Sequence, residues 1–409
     1  LAACIIFVAF LFLLDVYRKP RISASLWIPY IWLLVLSSKP ISTWIDYILG
    51  LGVRYDSYEQ NLIEGNPVDR YFFLTLIILG LIVLIRRKIS LKRILKGNWW
   101  IILFLLYCGL STVWADYPYV SFKRWIKEIG NLIMILVILT DIDATEAVKT
   151  LIRRVACVLV PFSFLLIRYY PQLGRMFSSS GELMSTGVAG HKNSLGVLCM
   201  VIIVVYFWDY LWTRHKNRSR PGEKKRSFFF SGLLMALTFW LLFISNSATA
   251  VFGTFLGCTM ILALNFPLIR NNVKHIGVLV FFSLIFFLVF QYLFNITGII
   301  VGLLGRDMTL TGRTEIWNDL LTVKTNPFIG AGYSSFWSGD ELDVIKQRYQ
   351  FTLNSAHNGY LETYLNLGWI GLLLLIGTAL SGYRKIRISL QHDFRFQELR
   401  LTLFTLALT

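Results

Sequence analysis

Charge is scarce in this sequence, and negative charge is scarcer still. Of 409 residues, 15% are charged, with 23 Asp+Glu against 40 Lys+Arg. An ordinary soluble domain carries roughly 25% charged residues, so no soluble domain of any size can be carved from the chain. Cysteine is sparse too. Cys4, Cys108, Cys157, Cys199 and Cys258 lie far apart, each inside an apolar run and without metal-site spacing. They read as small core hydrophobes. The chain has no His-Glu-x-x-His and no Gly-x-Ser-x-Gly, and its outward connections hold no Asp-x-Asp pair. Metal catalysis is therefore disfavoured, and neither a metal nor another cofactor is expected. No repeat, low-complexity tract or linker divides the sequence, which predicts a single integrated domain.

What the chain has in abundance is apolar length. Hydrophobic residues make up 56%, the mean hydropathy is +0.61, and Phe, Tyr and Trp total 63. Apolar segments recur at roughly 1–17, 22–38, 70–85, 99–116, 125–140, 151–170, 194–213, 227–245, 248–266, 275–297, 357–382 and 399–409. Lengths of this kind suit a bilayer, so the expected fold is an all-α polytopic membrane protein with about 12 transmembrane helices. The net charge of +17 raises the question of nucleic acid, and its placement answers it. The connections fall into two alternating sets. One set, with Asp15 and Asp209 at its margins, holds 26 Lys+Arg and 8 acids; the other holds 14 and 15. Basic loops stay on the cytoplasmic side. The runs Arg86-Arg87-Lys88 and Arg214 to Arg226 thus read as topology anchors in contact with anionic membrane lipids. Nucleic-acid binding is not expected. This orientation puts the N-terminus outside, with no cleavable signal peptide. A start without Met and a stop at Thr409 inside an apolar run suggest a piece of a longer protein.

Three outward connections are long enough to carry chemistry: about 39–69, about 171–193 and about 298–356. The expected organisation is an N-terminal helix bundle over 1–297, a large loop over 298–356, and C-terminal membrane helices over 357–409. Within the large loop, Ile316, Trp317, Leu320 and Leu321 form a helical apolar stripe. That helix should start near Thr311 or Thr314 and end before Pro327. It is amphipathic enough to lie flat on the membrane with Trp317 in the interface. Gly330-Ala331-Gly332-Tyr333 reads as a turn, because no Lys-Ser/Thr follows it and no strand precedes it.

Polar groups at the outer face are the candidates for chemistry, since burying them is costly. Two of the five histidines, His191 and His357, fall there, each where a loop enters a helix. The first cluster is Gly187-Val188-Ala189-Gly190-His191-Lys192-Asn193-Ser194-Leu195-Gly196. A helix N-terminus attracts anions and Lys192 adds a full charge; the plainer reading is an N-cap at Asn193 or Ser194. The second cluster is Asn354-Ser355-Ala356-His357-Asn358-Gly359-Tyr360-Leu361-Glu362, continuing to Asn366 and Gly368. His357 suits a general base or a charged clamp; its plainer role is capping. Glu362 is not on the face of His357 and is a supporting residue. Among the cations, Arg313 opens the loop helix, Lys123 and Arg124 sit at another outer corner, and Arg168 and Arg175 bracket the second loop. Arginine's planar fork suits phosphate, and ion pairing or snorkelling is the alternative. The hairpin Ser245-Asn246-Ser247-Ala248-Thr249-Ala250 reads either as a tight turn or as a sugar contact.

Taken in order, these motifs resemble the O-antigen ligase and Wzy-type polymerase superfamily, in particular its ExoQ-like exopolysaccharide polymerases. The resemblance spans most of the chain. It rests on Leu26-Trp27-Ile28-Pro29, Gly190-His191-Lys192-Asn193-Ser194-Leu195-Gly196, Ser245-Asn246-Ser247-Ala248-Thr249, Leu310-Thr311-Gly312-Arg313 and Ala356-His357-Asn358-Gly359-Tyr360-Leu361-Glu362. The family's hallmark of a His with ten residues before a Gly is met by His357 and Gly368. The resemblance implies a C-type membrane glycosyltransferase fold in the bacterial inner membrane, with a large periplasmic loop capping the site. It implies a glycan on polyprenyl diphosphate as donor and a second lipid-linked glycan, or a lipid A core, as acceptor. Chain-length regulators or export proteins are the further partners it suggests. Onto this sequence it carries His357 and Arg313 as catalytic residues. Lys192, His191, Asn193, Arg124, Lys123, Asn358, Glu362 and Tyr360 are the residues expected to hold diphosphate and sugar. The family's second outer Arg has no clear counterpart, and Lys192 or Arg124 is its candidate replacement.

Overall fold

The computed structural model describes residues 2–17, 20–50, 66–88, 97–177, 181, 183–216, 224–263, 266, 313–338 and 355–392. The expected apolar runs at 275–297 and 399–409, the start of the large loop and the boundary at 297 lie outside these residues. The described elements are α1 (Ala2–Tyr17), α2 (Trp27–Leu36) after a 3-10 turn, α3 (Ile41–Ile48), α4 (Pro67–Arg86) and α5 (Trp99–Ser111). They continue with α6 (Pro118–Leu139), α7 (Ala144–Tyr169), the single turn α8 (Pro171–Gly174), and a hairpin of β1 (Arg175–Phe177) with β2 (Leu183–Ser185). The remainder are α9 (Lys192–Lys216), α10 (Lys224–Ile244), α11 (Ala248–Ala263), α12 (Arg313–Thr322) and α13 (Gly359–His392).

Among the described residues, four helices are long and apolar enough to cross a membrane: Pro67–Arg86, Ala144–Tyr169, Lys192–Leu211 and Gly359–Ile388. The pair Ala24–Leu36 and Ile41–Ile48, bent by 72°, makes a fifth if taken as one broken span. Shorter apolar helices run over Cys4–Leu13, Trp99–Trp114, Ser231–Ile244 and Ala248–Ala263. The chain is therefore a helical, polytopic membrane protein. Among the described residues the full-length spans are fewer than the sequence suggested, because several apolar runs make helices short of a full crossing. Helix α3, in a stretch expected to be loop, is also new. Starts follow the chemistry of capping. Asn66 accepts from Val68 N–H at 2.8 Å with Pro67 in the first turn, and Asp143 accepts from Glu146 N–H at 3.0 Å.

By its internal contacts the chain forms two compact units. One takes residues 1–90, 127–263 and 395–409, and the other 91–126 and 264–394. In the first, Leu195, Cys199, Ile202, Ile203 and Trp208 of α9 form the core with Ala156 and Val160 of α7, Leu234 and Leu241 of α10, and Ala250 of α11. Its polar pairs follow the alternation read from the charges. Asp15 at the end of α1 accepts from Arg153 Nε (2.5 Å) and Arg154 Nε (2.7 Å) near the start of α7. Lys149 pairs with Asp209 near the end of α9 at 2.8 Å. Arg87, after α4, holds Asp141, after α6, at 2.9 Å, and Asp141 also takes the Ser23 backbone N–H at 2.8 Å. Every partner comes from the helix ends assigned to the basic side.

The second unit is built on α5, α12, α13 and the strap between α12 and α13. Although α13 runs from Gly359 to His392, Gly368 breaks it with φ 64° and ψ −165°. A break inside an apolar helix frees backbone groups that lipid cannot satisfy. Here the strap satisfies them. Ala331 and Gly332 N–H donate to the carbonyls of Leu365 and Asn366 at 3.1 and 2.8 Å, and Tyr107 Oη reaches the Leu367 carbonyl at 3.2 Å. On the far side of the break, Trp369 and Ile370 N–H donate to the carbonyls of Pro327 and Phe328 at 2.9 and 3.1 Å.

Candidate functional site

The first cluster lies in the unit that holds residues 127–263. Its helix starts at Lys192, one or two residues before the caps expected at Asn193 or Ser194. The His191 carbonyl accepts from Leu195 N–H at 3.1 Å, and its ring Nδ1 accepts from Asn193 N–H at 3.2 Å. His191 is thus the cap, with its ring proton on Nε2. The preceding Val188-Ala189 segment is buried. Val188 N–H donates to Ser163 Oγ at 3.3 Å, and the Val188 carbonyl accepts from Lys39 N–H at 2.8 Å. The Lys39 ammonium donates to the Leu173 carbonyl. Lys39 was missed by sequence reasoning: it meets this turn across 149 positions of chain, and no local pattern announces such a pairing. Arg175 Nε donates to the Ile167 carbonyl at 3.0 Å.

The Ser245–Thr249 hairpin joins this cluster. A methyl group at Gly196 would stand 2.8 Å from Ser247 Cβ, so α9 and the turn before α11 touch there. Ser245 and Ser247 are buried, and Ser245 Oγ donates to the Leu242 carbonyl at 2.7 Å. Ser245 thus does turn-making work, while Asn246 at the tip has φ 47°.

The second cluster lies in the unit with residues 91–126. Asn358 caps α13: its Oδ1 accepts from Tyr360 and Leu361 N–H at 3.1 and 3.3 Å. His357, immediately before the cap, is exposed in the left-handed region at φ 50°, with Nδ1 3.3 Å from Ser355 Oγ. Glu362 accepts from Ala356 N–H (2.9 Å), Asn366 Nδ2 (3.1 Å) and Trp337 Nε1 (2.5 Å). Its carboxylate is the hub of the turn. Tyr360, in the first turn of α13, is exposed.

Part of the α12 stripe, expected to face a membrane surface, packs against protein, while Leu321 is exposed. Ile316 and Leu320 are buried against Phe336, Ala356 and Leu365, and Trp317 Nε1 donates to the Ala356 carbonyl at 2.7 Å. A stripe at this spacing serves protein packing as well as lipid, and here the protein takes part of it. Arg313 is the first residue of this helix; its side chain lies outside the description. The helix is nonetheless fastened one turn later, by the Trp317 indole, to the residue preceding His357. Arg124 donates to the Ser334 carbonyl and so braces the strap, and Lys123 lies over the Tyr119 ring at 4.6 Å. Ser121 Oγ and Ser111 Oγ hold the Tyr333 carbonyl and N–H at 2.5 and 3.0 Å.

Comparison with known proteins meets this arrangement from outside. The O-antigen ligase family matches residues 233–376, which include the hairpin, α12, the strap and His357. The exopolysaccharide production protein ExoQ of Rhizobium meliloti (strain 1021) is 28% identical over 322 residues, covering 74% of this chain and 69% of the relative. No solved structure matches the chain. Both matches support placing it with the ExoQ-like members of the O-antigen ligase and Wzy-type group, and they support a role in making a polysaccharide or O-antigen.

Proposed function

We propose, from that placement, that this protein is a membrane glycosyltransferase that polymerises lipid-linked oligosaccharide repeat units on the outer face of the inner membrane. The observation that carries the reading is the second cluster: an exposed His357, held in an uncommon backbone conformation at a helix mouth, with the helix begun by Arg313 bonded to the residue before it. The reaction is a single inverting displacement. An acceptor hydroxyl attacks C1 of the donor sugar from the face opposite the leaving diphosphate. His357 takes the hydroxyl proton. Arg313 stabilises the charge that builds on the leaving group, while the protein holds two bulky lipid-borne partners in register. Arg124, assigned to the same task from sequence, has at least one N–H engaged by the strap.

The test is the purified chain in nanodiscs with a single lipid-linked repeat unit. The wild type should give a ladder of products, and His357→Ala should leave the unit unreacted. His357→Asn separates chemistry from folding, because Asn tolerates the left-handed region. A normal ladder from both variants removes His357 from catalysis. The ligase alternative is favoured by the matched family's description. It predicts no ladder and a single transfer once lipid A core is added. A transporter of the same lipid predicts no covalent product in either case.

A further inference from the structure

The residue before His357 is held from both ends. Ala356 gives its N–H to Glu362 Oε2 at 2.9 Å, and its carbonyl takes the Trp317 indole N–H at 2.7 Å. Ala356 is itself buried among Ile316, Leu320, Phe336 and Leu365. The carboxylate at one end is fixed in turn by Trp337 Nε1 and Asn366 Nδ2, and Asn366 Oδ1 accepts from Phe336 N–H at 3.2 Å. The indole at the other end belongs to α12, four residues after Arg313. Ala356 has little freedom left, and the residue after it turns sharply into the left-handed region, at φ 50°. A non-glycine residue stays there only where its surroundings over-determine it.

We propose that Trp317 and Glu362 are positioning residues that act through the Ala356 backbone, setting where the His357 imidazole stands and the register of the Arg313 helix against it. The inference rests on the transferase reading above for its consequence, though not for its geometry. It moves Glu362 from a sugar ligand to a brace, since its two oxygens already accept from three protein donors. It also assigns Trp317, for which the sequence suggested only a membrane contact.

Trp317→Phe tests this with the ring kept and the N–H removed. That N–H holds the Ala356 carbonyl. In the full chain, amide exchange followed by mass spectrometry should therefore show the Ala356 N–H, still bonded to Glu362, exchanging faster as the residue loosens, by up to about fivefold, the scale of one hydrogen bond. With lipid-linked repeat units, kcat should fall on the order of tenfold, as expected for a misplaced catalytic group, while KM and the melting temperature stay near wild type. Where that variant does not fold, Glu362→Gln serves. A Gln oxygen stays with the two donors at Oε1, Trp337 and Asn366, which turns its NH2 towards the Ala356 N–H and frees that amide directly. Unchanged Ala356 exchange overturns the proposal, as does faster exchange with unchanged kcat. A wild type that transfers no sugar discards the transferase reading instead, and the exchange of Ala356 still decides whether the clamp exists.

Discussion

Replacing Gly368 by Ala should damage this protein far more than its chemistry suggests. At φ 64° and ψ −165° the backbone occupies a region essentially reserved for glycine, where another residue costs about 1–3 kcal/mol. The added methyl would also stand 2.3 Å from the carbonyl carbon and oxygen of Phe328 and 2.6 Å from Ile329 N. These are backbone atoms, and no rotamer change relieves them. The strap must retreat, stretching the bonds from Trp369 to Pro327 and from Ile370 to Phe328. Weakening two such bonds adds roughly 1 kcal/mol each, for a total of about 3–5 kcal/mol. At roughly 2 °C per kcal/mol for a chain of this size, the melting temperature should fall by on the order of 10 °C. Tryptophan fluorescence during heating in a fixed detergent reads it directly. Gly382 is the control: it is helical, and nothing lies within 4 Å of a methyl placed there. Gly382→Ala should be neutral or stabilising by up to about 1 kcal/mol. A Gly368→Ala protein that melts within about 2 °C of wild type would show that the strap does not depend on the break.

Two further outcomes concern the basic ends of the helices. Asp15→Ala leaves Arg153 and Arg154 as buried cations without their carboxylate; a loss of about 3–5 kcal/mol is expected, read as reduced yield of monodisperse protein. Asp141 supplies a pH dependence. Burial pushes its carboxyl up, but hydrogen bonds from the Ser23 hydroxyl and N–H, Ile142 N–H and Arg87 outweigh that and hold it below the ordinary carboxylate value. A carboxylate depressed in the folded state stabilises above its unfolded value and stops doing so as pH falls through the folded one. Wild-type melting temperature should therefore drop on acidification through the carboxylate range. Asp141→Asn should be less stable near neutral pH and flatter across that window; an equally steep acid slope in the variant refutes the assignment.

Much of this was legible in sequence because lipid imposes long-range order on composition. The alternation of basic and near-neutral connections depends only on which helix ends share a face, and the pairs Asp15–Arg153 and Arg87–Asp141 are that alternation made physical. The α12 stripe was legible as a helix, found at Arg313–Thr322. Its destination was not, since periodicity shows that a face is apolar and not what covers it. Glu362 and Asn366 were legible as neighbours four apart, and Asn366 Nδ2 does meet Glu362 at 3.1 Å. What escaped was every contact made by backbone groups far apart in the chain: the Val188 carbonyl with Lys39, the Ala356 peptide with Trp317, and Phe328 with Gly368. A side chain leaves its signature at its own position, whereas a carbonyl is common to all residues, so the site's scaffold is silent where its chemistry is loud. The spacing of His357 and Gly368 is the exception. It is a length of helix bounded by two residues at positive φ, 50° and 64°, and that length fixes how far the histidine stands from the point where the strap grips. An inserted residue between them would rotate His357 by about 100° around the helix, so the spacing itself carries the positional information that no single residue in it holds.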